Sequence, residues 1–426
     1  MRYWWALPLL PLAAVLAVVL AQKPKTAVFL ISLDTVRADR LGCYGYNQAE
    51  TPFIDSLAAQ GALFENAISC APFTSASHAS ILTGVYPPRH GVRFLWKFTE
   101  RRLRPGVTTL AEMLKENDFR TAAFVSCRPL EKAVYGLDRG FDVYDESFLH
   151  AKEETAAHST VQRRCDETLR ACSDWLRTER PSRFFAFIHL FDVHDSDLLP
   201  PREFVREFKS RLAASEDYDA YDCEVAWIDR QLGLFFNALE TDELLVIITA
   251  DHGQGMGQHG YVAHGKRLYQ EELRVPLIVK ARGVPACRVG SFVRTVDILP
   301  TITDALGYAS LSGIDGRSLL PLIQGNERTD RECYSETLHP LGSRGEALFS
   351  IIKDRRKLIY APQSGLIEYY DLRGDPAELN NLATGGGYDD LLTQLRRFDL
   401  STRFRREAKV DAGTREAMQS LGYVNE

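Results

Sequence analysis

The sequence predicts an α/β fold: a large mixed, mostly parallel sheet sandwiched by helices, followed by a smaller C-terminal α+β subdomain containing a short antiparallel sheet. Three observations point there. Short, largely apolar runs recur at 27–33, 121–125, 184–188 and 243–249, as strands buried on both faces require. Segments with helical periodicity and helix-start signals alternate with them. Three of the runs finish in Asp or Asp/His clusters, and open α/β sheets bind ligands at the carboxyl ends of their strands, so these groups would meet on one edge.

Length and composition agree with that class. At 426 residues, 45% hydrophobic and 25% charged, the chain can bury one large domain plus an appendage. A formal net charge of -6 gives no reason to expect nucleic acid. There is no internal repeat and no low-complexity tract.

Residues 1–21 differ in kind. Arg2 precedes an apolar run broken by Pro8 and Pro11 that ends in small residues before Gln22. That pattern reads as a signal peptide, with an uncleaved N-terminal anchor as the alternative. Either way the expectation is an exported protein, periplasmic, secreted or membrane-anchored, whose only membrane contact would be an uncleaved segment. The eight cysteines could pair after export, but their spacings form no metal motif. Cys165 and Cys172 would lie about 10 Å apart on one helix, too far to bridge.

The first strand, Ala27 to Leu33, stops at Asp34. Thr51-Pro52 then opens a helix that Gly61 closes. Next comes Phe73-Thr74-Ser75-Ala76-Ser77-His78-Ala79-Ser80-Ile81-Leu82-Thr83-Gly84, a hydroxyl-rich helix start whose unpaired N–H groups and dipole favour an anion held at Thr74. Residues 86–105, with Arg89, Arg93, Lys97, Arg101, Arg102 and Arg104 beside His90, read first as a solvated basic loop, with guidance of an anionic substrate as the alternative. An amphipathic helix over 108–116, a strand over 121–125 and a long helical region over 153–177 follow. The strand over 184–188 leads to His189, Asp192 and His194, and the strand over 243–249 leads to Asp251-His252-Gly253. One Asp at a strand end can cap the following helix, but three such ends with two histidines point to a metal or catalytic site. A further strand at 275–279, a helix from Asp297, antiparallel strands around 350–360 and 366–371, and a helical tail after Leu400 complete the expectation.

At these residues the chain resembles the sulfatase family of the alkaline phosphatase superfamily. Leu33-Asp34-Thr35-Val36-Arg37-Ala38-Asp39 looks like its first metal motif and Ser77 through Gly84 like its nucleophile helix. Asp192-Val193-His194, Asp251-His252-Gly253 through Gly260, Lys266 through Leu277, and Glu368 through Leu382 resemble later blocks in order. The resemblance implies a catalytic domain over 25–332 and a C-terminal subdomain with helical tail over 333–426.

The departures bear on the chemistry. Formylglycine sulfatases carry Cys or Ser ten residues before the glycine matching Gly84, where this chain has Thr74. Cys70-Ala71-Pro72 mimics that motif out of register, and His78 stands where the motif's Arg would be. No formylglycine is therefore expected. The resemblance instead implies direct attack by a metal-activated Thr74 through a covalent threonine ester, with His78 a further catalytic residue. Asp34, Thr74, Asp251 and His252 would hold a divalent cation, zinc or manganese favoured over calcium or magnesium by the oxygen/nitrogen set. His194 and Lys266 would grip the anion or protonate the leaving oxygen. Alternatively Asp192, His194 and His264 could form a second metal or substrate site. Arg37 and Arg274 read as structural ion-pair partners, and His189, His90 and His259 as packing as readily as function. The implied activity is hydrolysis of anionic sulfate or phosphate esters, with phosphoryl substrates favoured by Thr74. A phospho-head-group transferase of the cell envelope and a non-catalytic binding protein on the same fold are the alternatives.

Overall fold

The computed structural model describes residues 26–94, 102–147, 162–194, 198–211, 219–239, 244–309, 311–343 and 345–401. The leader-like segment 1–21 and the expected tail helix after Leu400 lie outside these, the tail from residue 402 on. No helix among the described residues is long and apolar enough to cross a membrane.

The main sheet is built from β1 (Thr26–Leu33), β2 (Ala62–Ile68), β3 (Arg120–Phe124), β4 (Val143–Asp145), β5 (Arg183–Leu190), β6 (Leu244–Thr249), β9 (Arg274–Val275), β10 (Leu277–Lys280) and β11 (Cys287–Arg294), with a small hairpin of β7 (Gly255–Met256) and β8 (Val262–Ala263) beside it. Its order is β11-β2-β10-β6-β1-β5-β3-β4, with β9 on β2. Only β9 and β10 run antiparallel to their neighbours, so the expected mixed, mostly parallel sheet is what forms. The central strand β1 lies between β5 and β6, in a register that sets Ser32 opposite both His189 and Thr249. The three strands that end in acids are therefore adjacent.

Helices cover both faces. The sandwich explains why β1 reads as a continuous apolar run rather than an alternating one. On one face Phe29 meets Phe184 of β5 and Phe235 and Phe236 of a helix over Ala220–Asn237. On the other lies the hydroxyl-rich helix, Thr74–Thr83, whose His78 ring packs edge-on to Phe187 and reaches Ser32. In chain order we label α1 (Pro52–Gln60), α2 (Thr74–Thr83), α3 (Pro87–His90), α4 (Leu110–Lys115), α5 (Cys165–Glu179) and α6 (Ala220–Asn237). Thr109 and Glu112 close α4 with a reciprocal capping box.

The second sheet is antiparallel, β12 (Cys333–Thr337), β13 (Leu348–Lys353), β14 (Arg356–Ala361) and β15 (Leu366–Asp371) in sequential order. It docks on the main sheet through side chains of both. Cys70, Tyr86, Phe94 and Val296 share a core with Tyr334, Leu338, Phe349, Ile351 and Leu358.

Several expectations need correction. The helix expected over 153–177 begins at Cys165 among the described residues, because Gln162 bridges to Cys127 and Arg163 is tied to Asp145, which holds that backbone extended. The strand expected over 275–279 is split at Pro276, which has no N–H to give a ladder. The basic stretch 86–105 is a solvated loop only in part: Arg89, Arg102 and Arg104 are exposed, but α3 opens it, His90 is sealed against Ser80, and Arg93 is buried on Glu336. Arg37 pairs with Asp39 as expected, whereas Arg274 donates to the Glu65 carbonyl and lies over the Tyr44 ring. All eight cysteines are free thiols.

Candidate active site

The site forms where β1, β5 and β6 end beside the start of α2. Asp34 follows β1 directly and its N–H donates to the Leu190 carbonyl at the end of β5. The next residue, Thr35, sits in the left-handed region at φ 58°, unfavourable for a β-branched residue. Its N–H donates to Asp251 Oδ1 at 3.3 Å, and its carbonyl accepts from the Tyr221 hydroxyl of α6. That turn brings two carboxylates together across the sheet edge.

Three fully buried side-chain atoms here have no hydrogen-bond partner: Asp34 Oδ1, Asp251 Oδ2 and His252 Nε2. They face one another. His252 Nε2 lies 3.3 Å from Asp251 Oδ2 and 4.0 Å from Asp34 Oδ1. His252 Nδ1 donates to the Gly253 carbonyl at 2.9 Å, which turns the ring's other nitrogen toward the two carboxylates. Three lone-pair donors converging in a buried space repel one another unless a cation or protons lie between them. Burial pushes the Asp34 carboxyl up to about 6, and burial together with the neighbouring Asp34 charge raises Asp251. The donor set of two carboxylate oxygens and one imidazole nitrogen fits a divalent cation.

Thr74 is the first residue of α2, fully buried, with its hydroxyl 3.4 Å from Asp34 Oδ2. The helix is anchored from below by Ser77, whose hydroxyl donates to the Asp251 carbonyl, as Ser69 does from the preceding loop. Thus all four residues expected in the metal set come together.

His78, expected to be catalytic, is fully buried with both ring nitrogens engaged. Its Nδ1 donates to the Thr74 carbonyl at 2.7 Å, its Nε2 meets Ser32 Oγ at 2.8 Å, and burial pushes its pKa down to about 3. It packs behind Thr74 as a neutral strut.

His194 and His264 do approach each other, with Nε2 atoms 3.3 Å apart, and the His264 ring stacks on His252. Burial and the neighbouring imidazoles hold both well below the ordinary histidine range. Gln254 Oε1 accepts from His264 Nδ1. Asp192 does not join them: its Oδ2 accepts the Cys165 N–H at the start of α5, and burial raises its pKa to about 7. It acts as the cap that a lone strand-end Asp often is. Lys266 is partly buried two residues past His264, in a loop pinned by the Gly265 N–H on buried Glu272.

Two contributors are visible in the sequence but have no definite site role there. His189 lies inside β5, opposite Ser32, and its Nε2 is 2.9 Å from Asp34 Oδ2. Its period-two phase with Phe187, which packs on α2, was the available signal. Gly253 is the other: a Cβ there would stand 2.1 Å from the Glu271 carbonyl oxygen, so only glycine lets the chain pass after His252.

A family model described as Sulfatase matches residues 26–308, and one described as N-sulphoglucosamine sulphohydrolase, C-terminal, matches 257–403. Among curated proteins, an arylsulfatase of Clostridium perfringens is 25% identical, aligned over 88% of this chain and 93% of its own. A delta 4,5-hexuronate-2-O-sulfatase of Bacteroides thetaiotaomicron is 24% identical, over 94% of each. Among solved structures, the phosphonate monoester hydrolase of Agrobacterium radiobacter superposes with a TM-score of 0.66 at 21% identity, over 87% of this chain and 95% of that one.

Proposed function

The chain belongs to the sulfatase family within the alkaline phosphatase superfamily, and from that membership we propose that it is a metal-dependent hydrolase of sulfate or phosphate esters in which Thr74 is the nucleophile. The observation that carries this is the convergence of unpaired Asp34 Oδ1, Asp251 Oδ2 and His252 Nε2 beside the Thr74 hydroxyl. Curated relatives named as sulfatases support sulfuric ester hydrolysis as the general class. Threonine in place of an aldehyde-forming residue, and imidazole in the donor set, favour phosphoryl substrates.

Asp34, Asp251, His252 and Thr74 would hold the cation, with zinc or manganese favoured. When bound it would lower the pKa of a neighbouring hydroxyl and neutralise charge on the attacked group. Asp34 Oδ2 accepts the Thr74 proton and so turns an oxygen lone pair outward. The first N–H groups of α2 favour an anion at that oxygen. In the first half-reaction Thr74 gives its proton to Asp34 Oδ2, the bond from Thr74 Oγ1 to phosphorus or sulfur forms as the bond to the ester oxygen breaks, and that oxygen takes a proton from the Lys266 ammonium or from a protonated His194. In the second, water displaces Thr74 from the covalent ester. With His264 Nδ1 donating to Gln254, the facing His264 Nε2 is an acceptor, so His194 Nε2 carries the proton between them and the pair orients His194. Residues 25–332 would be the catalytic domain, with 333–426 its C-terminal subdomain. The leader-like 1–21 segment places the enzyme outside the cytoplasm in this proposal.

The test is turnover of aryl sulfate, aryl phosphate and aryl phosphodiester by the full chain with added Mn2+ or Zn2+, alongside Thr74→Ala. Phosphate or diester should dominate, and Thr74→Ala should lower kcat by at least about 10³-fold. The Thr74 peptide of substrate-quenched enzyme should carry the phosphoryl group. Dominant sulfate turnover would remove the phosphoryl preference, and a Thr74→Ala enzyme of near-normal rate would remove the nucleophile.

A further inference from the structure

Behind the cation site a second group of ligating side chains meets at Asp34: the Cys127 thiol and the His189 imidazole, all fully buried. Carboxylate, imidazole and thiol are a zinc-like set, so the group has two chemical explanations. It could hold a second, thiolate-ligated cation, or it could be a hydrogen-bond relay that aims Asp34.

The tautomer of His189 decides between them. Its Nδ1 faces the backbone N–H of Ser126 at 3.4 Å, and an amide donor requires a lone pair opposite it. The ring proton therefore sits on Nε2, which is 2.9 Å from Asp34 Oδ2 and donates to it. Ser126 clamps the same residue twice, since its hydroxyl also donates to the His189 carbonyl and pairs with Thr168 Oγ1. Ligation through Nε2 would require the proton to move to Nδ1, against the amide N–H. The first explanation is thus opposed by the backbone itself.

The consequence reaches the cation site. With Oδ2 occupied by His189 and the Thr74 hydroxyl, Asp34 has only Oδ1 left, and Oδ1 is the atom turned toward Asp251 and His252. We propose that His189 is a positioning residue that fixes the rotation of Asp34, so that the protein holds one cation on the Asp251 side and Cys127 is not a ligand. This rests on the metal reading of Asp34, Asp251 and His252 given above.

The experiment is titration calorimetry of the full chain, stripped with chelator, using Mn2+ as the probe. Wild type should take one equivalent. His189→Phe, which keeps the ring packing but has no donor, should weaken Mn2+ by about 10- to 100-fold. His189→Gln, whose amide N–H can stand near the Nε2 position, should bind within about threefold of wild type. Unfolding of the metal-free proteins should not follow that order. If His189→Gln binds no better than His189→Phe, the relay is wrong. If Co2+ gives a second equivalent with a thiolate charge-transfer band that Cys127→Ser removes, the group is a metal site and the proposal is overturned. A wild type that binds no more Mn2+ than Asp251→Asn overturns the metal reading, and this inference falls with it.

Discussion

Gly253 shows how tightly single residues are set around this site. It follows His252, its N–H donates to the Glu272 carbonyl, and an added methyl would collide with the Glu271 carbonyl oxygen and press within 3.2 Å of Arg37 Cγ. Gly253→Ala must therefore move His252 or the 271–272 backbone, neither of which can yield cheaply. The expected result is a loss of about 2–4 kcal/mol in urea unfolding together with weaker Mn2+ binding. Unchanged stability and affinity would show that the loop is softer than its packing implies. At this scale Asp34, Thr74, Asp251 and His252 were legible, because each acid stands out against an apolar run and Thr74 opens a helix. Asp192 was misleading for the same reason, since a strand-end Asp that caps α5 has the same local sequence signature as one that could bind a cation. His189 was only half legible. Its face follows from strand alternation, but its partner is set by the register of β1 on β5, which local pattern does not encode.

Among the elements, α1 illustrates what sequence captures and what it leaves out. Pro52 at its first position and Gly61 after its end mark the boundaries correctly. Thr51, at the N-cap position, makes no side-chain capping bond. The Phe53 and Ile54 N–H groups instead donate to the carboxylate of Asp229, on α6. Because the partner lies more than 170 residues along the chain, no local motif could reveal it. Burial, the largest effect, pushes the Asp229 carboxyl up to about 6 despite those two donors. The folded protein thus binds this proton more tightly than the unfolded chain does. Stability from the group is full below the usual carboxylate range near 4 and declines as pH rises through about 6. Compared with Asp229→Asn, which cannot ionise, wild type should lose on the order of 2 kcal/mol between pH 4 and pH 7 in paired urea titrations. A difference independent of pH would mean that Asp229 is not held protonated. The same distance effect explains the late start of α5, since Gln162 is held extended by its bridge to Cys127, but not the split at Pro276, a break visible in the sequence itself.

At the scale of the whole molecule, the second sheet is a buttress of the active site. β12 meets the loop before α2 directly: Ser335 Oγ donates to the Ser69 carbonyl, the Glu336 N–H to the Cys70 carbonyl, and Thr337 Oγ1 to the Gly265 carbonyl in the loop between His264 and Lys266. Arg93 locks the contact. Its Nε and Nη2 each lie 2.7 Å from a different Glu336 oxygen, and both side chains are 1% exposed. A run of arginines reads as a solvated loop when its one buried carboxylate partner lies 243 residues away, so this joint was invisible in the sequence. Glu336→Gln leaves the buried Arg93 charge only the half-exposed Asp399, so it should cost about 3 kcal/mol, the low end for breaking a buried pair, and Arg93→Met in addition should cost much less than the sum of the two. Calorimetry discriminates two pictures of the chain. If the sheets form one cooperative body, as their shared core implies, Glu336→Gln should lower the temperature of a single transition, and aryl ester turnover should be lost at that same temperature. If the C-terminal sheet is a separately stable domain, an early transition should split off while turnover survives it. The second outcome would remove β12 from any role in holding Thr74 in place, and the hydrogen bonds to Ser69 and Cys70 would then be mere contact.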